Sequence, residues 1–168
     1  MKSTEIELIN SLIFKPLEMS LINSVVEQES LNYQAHNLRV DELDIKFRKG
    51  KITPNKTGQF VTLWKRNFKG ITVPYDLSDP IDFYIIATRK EEQFGAFIFP
   101  KVVLHKNKIL SDDLKDGKRG IRVYPPWDEV TSKQAHKTQV WQTKYFIDFS
   151  NEDNIDLKKA KEVFLNHN

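Results

Sequence analysis

Apolar residues in the first 26 positions recur at the spacing of an amphipathic helix. Thr4 and Glu7 have the spacing of a capping box, in which each side chain bonds to the backbone amide of the other residue, so they predict a helix start. Pro16 interrupts the apolar pattern, which then resumes. The positions expected to form core-facing helical stripes are Ile6, Ile9, Leu12, Ile13, Leu17, Leu21, Ile22, Val25 and Val26.

The period changes near residue 36, where apolar and polar residues begin to alternate. Residues 38–47 predict a strand or a hairpin that bends at Asp41 and Glu42. Further strands, predicted from runs of β-branched and aromatic residues, span residues 59–64, 81–87, 94–104 and 121–124. Pro100 requires that its strand either lies at a sheet edge or breaks in two, because proline donates no hydrogen bond to a ladder.

Helices are predicted again after the strands. Thr131 or Ser132 can cap a helix that continues to about residue 146, and Asp156 opens a final helix at roughly 156–166. This order predicts an α+β fold with a central, mostly antiparallel or mixed β-sheet flanked by the N- and C-terminal helices. Because no repeat or linker-like stretch divides the chain, residues 1–168 are expected to form a single domain.

Composition narrows the class of protein. The chain has no cysteine, which excludes disulfides, thiolate metal sites and cysteine nucleophiles and favours a reducing compartment. The amino terminus carries acidic residues, unlike a signal peptide, and no apolar run approaches the ~20 residues that span a bilayer. We therefore expect a cytoplasmic protein with no membrane partner, and a monomer is the default expectation.

The net charge of +3 conceals an uneven distribution along the chain. Residues 1–45 hold 3 basic and 8 acidic side chains, residues 46–144 hold 20 and 10, and residues 145–168 hold 3 and 5. Local potential steers anionic partners more effectively than overall charge does. The basic middle section is therefore the part of the chain expected to carry function.

The densest basic segment is residues 46–69, in which eight of 24 residues are Lys or Arg and none is acidic. Such a run can be a solvated face and nothing more. Here, however, residues 53–58 predict a tight loop between two strands, whose amides, hydroxyls and Lys56 could hold a phosphate. The loop lacks the spacing of a Walker A motif.

Two further clusters combine cations with aromatic side chains. Residues 115–127 interleave Lys and Arg with Tyr124 and Trp127, a combination suited to single-stranded nucleic acid, because cations neutralise phosphates while aromatic rings stack on bases. The alternative is that both aromatics belong to the core. In the predicted helix at 134–142, Lys137 and Trp141 share a face at i, i+4, and Trp141 is more simply explained as a core residue.

Together these clusters resemble the MepB family. The matching stretches are GQFVTLWKR at 58–66, KRGIRVYPPWD at 118–128 and QAHKTQVWQ at 134–142. An aromatic-Pro-Lys strand end is matched by residues 99–101, and an Arg-x-x-Lys-x-Thr-Pro-x-Lys-x-Gly loop by residues 48–58. The resemblance covers roughly residues 29–146.

The resemblance implies a bacterial cytoplasmic protein whose fold is similar to the PD-(D/E)XK, or restriction-endonuclease-like, core. Such a core implies a nucleic-acid partner. The best known member of the family is encoded beside a multidrug efflux pump and its repressor, so a link to multidrug resistance follows by resemblance alone.

A PD-(D/E)XK nuclease needs an Asp and an acidic-x-Lys pair on neighbouring strands, because the carboxylates hold Mg²⁺ and the Lys orients the attacking water. Asp82 opens a predicted strand, but the strand that follows it has no acidic-x-Lys. Leu63 stands two residues before Lys65, and Gln59 is the nearest polar replacement for an acid. A remnant catalytic set would comprise Glu29, Gln59, Lys65 and Asp82.

Other catalytic chemistry has no support in the sequence. The four histidines are far apart, so no metal site is expected, and no GxSxG, GxGxxG or HExxH motif occurs. We therefore expect a binding protein and not an enzyme. No cofactor is expected, except Mg²⁺ if the alternative of a divalent-metal nuclease holds.

The sequence predicts a protein that binds single-stranded DNA or RNA, with cations on phosphates and Trp64, Tyr124 and Trp127 as stacking candidates. The remaining alternative is an accessory protein whose basic face docks an acidic protein. The predicted nucleic-acid-binding residues are Lys51, Thr53, Lys56, Trp64, Lys65, Arg66, Lys118, Arg119, Arg122, Tyr124, Trp127 and Lys137.

Overall fold

The computed structural model describes residues 3–166. Its first helix, α1 (Glu5–Ile9), continues into a π-helical turn at Asn10–Phe14. The predicted capping box is confirmed: the Thr4 amide donates to Glu7 Oε2 at 2.9 Å, and the Glu7 amide donates to Thr4 Oγ1 at 3.2 Å. The apolar stripe of this segment is buried, as expected.

The other elements follow in chain order. The strands are β1 (Leu21–Val26), β2 (His36–Val40), β3 (Leu43–Lys49), β4 (Lys51–Ile52), β5 (Gln59–Thr62), β6 (Trp64–Arg66), β7 (Thr72–Pro74), β8 (Phe83–Lys90), β9 (Gln93–Pro100), β10 (Gly120–Val123) and β11 (Phe146–Asp148). The remaining α-helices are α2 (Lys101–Lys106), α3 (Lys133–Gln142) and α4 (Leu157–Leu165).

Six strands form the main sheet, in the order β1-β2-β3-β8-β9-β11. All neighbours in it are antiparallel except β3 and β8, which are parallel, so the sheet is mixed. A second sheet has the order β10-β5-β4, and β6 pairs with β7 in a hairpin. The structure thus confirms the predicted α+β fold.

The central strands β8 and β9 of the main sheet are covered on both faces, whereas the edge strand β1 is largely exposed. Successive side chains of a strand point to opposite sides of the sheet. Phe83 and Ile85 of β8 pack on one side, in the core that α1 and α4 complete. Tyr84 and Ile86 pack on the other side, in a second core with β5, β10 and α2. Because β8 is buried on both faces, its sequence is a continuous apolar run and not an alternating pattern.

Most predicted elements are present with small shifts in their ends. The hairpin of β2 and β3 turns at Asp41, whose φ is 51°. Helix α3 is capped by Ser132, whose Oγ accepts from the Ala135 amide at 3.0 Å. Asp156 caps α4 by accepting from the Lys159 amide at 2.9 Å. Within residues 3–166, no helix is long and apolar enough to cross a bilayer.

The predicted helix at residues 17–26 is wrong. After Pro16 the chain turns at Glu18, whose φ is 60°, and residues Leu21–Val26 form strand β1 along β2. Their apolar spacing is compatible with a helix, but Ile22, Val25 and Val26 are β-branched and favour a strand. Pairing with β2 selects the strand, and the spacing of apolar residues does not reveal this pairing.

The predicted strand at residues 94–104 is only partly correct. Strand β9 ends at Pro100, and Lys101–Lys106 form helix α2. Pro100 is the N-cap residue of this helix, with φ −61°. The strand breaks at the proline, as one of the two expected possibilities required, but its second part is helix α2 and not a strand.

Gly95 of β9 lies beneath the Phe146 ring of β11, which allows a close approach of the two strands. A Cβ at residue 95 would lie 2.2 Å from Phe146 Cζ and 2.7 Å from the Ile147 carbonyl oxygen. We predict that Gly95→Ala lowers the free energy of unfolding by about 3 kcal/mol, because the core must shift to admit the methyl group. Urea unfolding measures this change.

Gly70→Ala is the contrasting variant, since no atom lies within 4 Å of the added methyl group there. It should cost about 1 kcal/mol, from its positive φ alone. Equal losses for the two variants would contradict the close approach of β9 and β11.

Candidate functional site

Strand pairing brings the predicted basic clusters together. Strand β10 lies antiparallel to β5, with Gly120 opposite Thr62 and Val123 opposite Gln59. Strand β4 lies on the other side of β5. Strands β4 and β5 of the segment 46–69 and strand β10 of the segment 115–127 are thus side by side in one small sheet.

Helix α3 is held beside β10 by two glutamines. The buried Gln142 accepts from the Tyr124 amide at 2.8 Å and donates to the Arg122 carbonyl oxygen at 3.0 Å. Gln139 Nε2 donates to the carbonyl oxygens of Pro125 and Asp128, at 3.0 and 2.9 Å. These amides satisfy backbone groups that no strand neighbour reaches. The glutamines of the third cluster therefore position α3 against β10.

Between α3 and the small sheet lies a cleft of about 600 Å³, here called the α3 cleft. No carboxylate is among the described residues that line it. Its cations are Lys56, Lys118 and Arg122, and among the described residues none of them forms an ion pair. Aromatic and polar side chains complete the lining, chiefly Phe60, Tyr124, Trp141, Thr53, Ser132, Gln134 and Thr138.

Arg122 fixes the loop at residues 53–58 to β10. Its guanidinium donates to Thr53 Oγ1 at 2.6 Å and to the Thr57 carbonyl oxygen at 3.4 Å. Gly58 completes the attachment with a φ of 82°, and a Cβ there would lie 2.7 Å from the Tyr124 ring. Lys56 is consequently carried on a loop that is tied down at both ends, and the cleft wall is preorganised.

A larger hollow, of about 980 Å³, lies on the other side of β5, between β3, β6 and the segment after β1. Its cations are neutralised by carboxylates, in contrast to those of the α3 cleft. Lys46 binds Glu27 at 2.9 Å and Lys65 binds Asp79 at 2.5 Å. Arg48 also pairs with Glu27, and Arg66 pairs with Glu29. Size favours this hollow as a binding site, but its internal ion pairs leave it little attraction for an anion.

Arg48 is the centre of that ion-pair network. Its side chain is only 2% exposed. Besides Glu27, it donates to the Thr62 carbonyl oxygen at 3.2 Å and to the Tyr75 hydroxyl at 3.1 Å. Burial raises the pKa of Tyr75 to about 12, so this hydroxyl keeps its proton. The network is saturated and links β3 to β5.

The predicted nucleic-acid-binding residues fall into three groups. Five line the α3 cleft: Thr53, Lys56, Lys118, Arg122 and Tyr124. Three line the larger hollow: Trp64, Lys65 and Arg66. The others lie outside both: Lys51, Arg119, Trp127 and Lys137.

Two of the predicted stacking residues are engaged within the protein. Trp127 packs edge-on against Phe146, with ring centroids 5.4 Å apart, and its indole nitrogen is buried. Trp64 is half-buried, and the Arg66 guanidinium lies 5.4 Å from its ring centroid. Of the three candidates, Tyr124 is the one that lines the α3 cleft. Sequence reasoning missed Phe60, which faces Tyr33 and the cleft.

The speculative catalytic set does not converge. Asp82 accepts a hydrogen bond from the Asp44 amide at 2.8 Å. Gln59 is buried and donates to the Arg89 carbonyl oxygen at 3.3 Å. Glu29 and Lys65 both line the larger hollow, but each is bound to a different partner. Each of the four side chains therefore has a structural partner of its own.

An acidic-x-Lys pair does occur on β3, as Asp44 and Lys46, and sequence reasoning missed it. Asp44 binds Arg39 at 2.9 Å, and Lys46 binds Glu27 and Asn37. No cluster of three or more His, Asp or Glu side chains suited to a metal ion is present within residues 3–166. Asp82 lies beside this pair, because the Asp44 amide donates to its carboxylate, but Arg39 and Glu27 already bind the Asp44 carboxylate and the Lys46 ammonium.

The sequence model of the MepB-like family matches residues 27–148. The chain belongs to the MepB-like family. Its fold is also similar to the crystal structure of MepB, with a TM-score of 0.76 and 31% sequence identity over 90% of this chain and 99% of that one. No curated protein matches the chain. The resemblance seen in the sequence is confirmed, and the α3 cleft lies entirely within the matched MepB-like span.

We predict that Glu27→Gln destabilises this MepB-like protein by about 3 kcal/mol, because it leaves the buried Arg48 cation without a counter-charge. Glu29→Gln is the matched control. Its pair with Arg66 is 49% and 42% exposed at the two side chains, so its loss should cost less than about 1 kcal/mol. Urea unfolding of both variants measures the difference. Equal losses would show that Arg48 does not depend on Glu27.

Proposed function

We propose that this MepB-like protein binds single-stranded nucleic acid in the α3 cleft. The observation that carries the proposal is the meeting of three cations, Lys56, Lys118 and Arg122, with aromatic side chains in one concave surface without a lining carboxylate. Cations in such a groove contact phosphates, and aromatic faces stack on bases.

The surroundings of the three cations in the α3 cleft favour the binding of an anion. A charge run on an open surface attracts counter-ions weakly, whereas a cleft with charge of one sign focuses the potential. The loop that carries Lys56 is held by Arg122 and Gly58, so binding need not order it first. The α3 cleft therefore contributes unpaired positive charge from the basic residues 46–144, whereas the cations of the larger hollow are paired with carboxylates.

The aromatic lining favours a single strand over a duplex. Phe60 and Tyr124 lie in the cleft beside Arg122, whose guanidinium carbon is 5.9 Å from the Phe60 ring centroid. Bases of a duplex are stacked on one another and do not offer their faces, whereas those of a single strand do. Both single-stranded DNA and RNA satisfy this requirement.

The double variant Lys56→Gln/Lys118→Gln tests the proposal. Each single-strand phosphate contact contributes roughly −0.7 to the slope of log affinity against log salt, which is a factor of about 5 at 0.1 M salt. Loss of both contacts should reduce the slope from about −2 to about −0.7 and weaken binding about 25-fold at 0.1 M salt. Fluorescence anisotropy with a labelled twelve-nucleotide thymidine strand measures both quantities across a salt series.

The matched control is Lys158→Gln/Lys161→Gln. These lysines are exposed on α4, which packs on the opposite face of the main sheet. The control changes the net charge equally and should leave the slope unchanged. Identical slopes for the two double variants would contradict binding in the α3 cleft. Absence of binding by the unaltered protein would refute the proposed function, and strand cleavage in Mg²⁺ would favour the nuclease alternative.

A further inference from the structure

The tip of the β6–β7 hairpin presents an aromatic ring to solvent. Phe68 is 95% exposed. The Lys69 ammonium lies 5.8 Å from the centroid of its ring. Exposing a complete phenyl ring forgoes the free energy of its burial. A single exposed apolar residue is common on protein surfaces, so the case for a contact residue depends on the surroundings of the ring.

The tip is rigid and not a loose loop. Asn67 Oδ1 accepts from the amides of Lys69 and Ile71, at 2.9 and 3.0 Å. Gly70 permits the turn with a φ of 78°, and its carbonyl oxygen accepts from Arg66 at 2.9 Å. These bonds fix the backbone on both sides of Phe68. The ring is therefore offered at little entropic cost to a partner.

The hairpin adjoins the α3 cleft through β10. The Leu63 amide donates to the Arg119 carbonyl oxygen at 2.8 Å, and Arg119 Nε donates to the Thr72 carbonyl oxygen at 3.2 Å. Lys118, which directly precedes Arg119 in the chain, lines the cleft. Phe68 lies five residues beyond Leu63, which is at most about 18 Å of chain. At about 3.4 Å per stacked nucleotide, some five nucleotides bridge that distance.

Charge determines from which side a strand can approach. Asp76, Asp112 and Asp116 line a small hollow together with Phe68, and its two cations, Lys65 and Arg66, are already paired with Asp79 and Glu29. The three lining carboxylates repel phosphates from that side. Arg119 is not among the residues that line this hollow, and it stands at the base of the hairpin beside Lys118. A polyanion that leaves the cleft is thus directed along the Lys118 and Arg119 side toward the tip.

We infer that Phe68 is a second contact point, which stacks on a base of a nucleic acid strand whose phosphates occupy the α3 cleft. This inference rests on the proposed function. It adds that a strand of about five nucleotides or more is long enough to engage both points. Phe68 lies within the basic segment 46–69 but is not among the binding residues predicted from the sequence.

The experiment compares Phe68→Ala, Phe68→Leu and Phe68→Trp with the unaltered protein on thymidine strands of four and twelve nucleotides. Stacking predicts that Phe68→Ala weakens binding of the longer strand about 5- to 100-fold, with an unchanged salt slope, because no phosphate contact is removed. Phe68→Trp should retain affinity, and Phe68→Leu should lose it. The four-nucleotide strand, which spans about 14 Å at the same rise, should depend on Phe68 less than the longer strand does.

Two controls separate stacking from other effects. Leu114→Ala removes another apolar side chain that is 96% exposed, and it should leave both affinities unchanged. A twelve-nucleotide strand of abasic sites keeps every phosphate and should abolish the difference between Phe68→Ala and the unaltered protein.

The possible failures are distinguishable. If the unaltered protein binds the long strand and Phe68→Ala binds it equally well, the hairpin contact is refuted while the α3 cleft stands. Full affinity of Phe68→Leu would refute stacking. If the unaltered protein binds neither strand but Phe68→Ala impairs capture of a protein partner, both the hairpin inference and the proposed function are wrong, and the accessory-protein alternative is correct.

Discussion

The ion pair between Arg48 and Glu27 is the interaction on which the arrangement of the molecule depends. A guanidinium buried on β3 must have a counter-charge, and Glu27, just after β1, supplies it. The same guanidinium donates to the Thr62 carbonyl oxygen of β5 and so attaches the small sheet to the main one. Since β10 pairs with β5 and α3 is anchored to β10, this attachment also holds the walls of the α3 cleft in place.

The ion pairs around Arg48 also determine which cations remain available. The acidic N-terminal section supplies Glu27 and Glu29. These carboxylates neutralise Lys46, Arg48 and Arg66 of the basic segment 46–69. The lysines and arginine of the α3 cleft lie beyond their reach. The α3 cleft of the basic middle section therefore keeps cations without a carboxylate partner, which is the condition for steering an anion.

Local chemistry explains why some features were predictable. The capping box, the β2–β3 hairpin and the caps of α3 and α4 each depend on residues within a few positions of one another. Residues 17–26 were mispredicted because their apolar spacing fits a helix, and only pairing with β2 selects the strand. The basic segments were identified from the sequence, but the neutralisation of Lys65 by Asp79, and of Arg66 by Glu29, depends on tertiary contacts.

The central claim is that the α3 cleft, and not the larger hollow, receives the strand. Amide hydrogen exchange with and without a saturating twelve-nucleotide thymidine strand tests it most directly. We expect slower exchange in the loop at residues 53–58, in β10 and in the first turns of α3, with no change at residues 25–30. Protection confined to residues 25–30 and 64–66, which line the larger hollow, would contradict it.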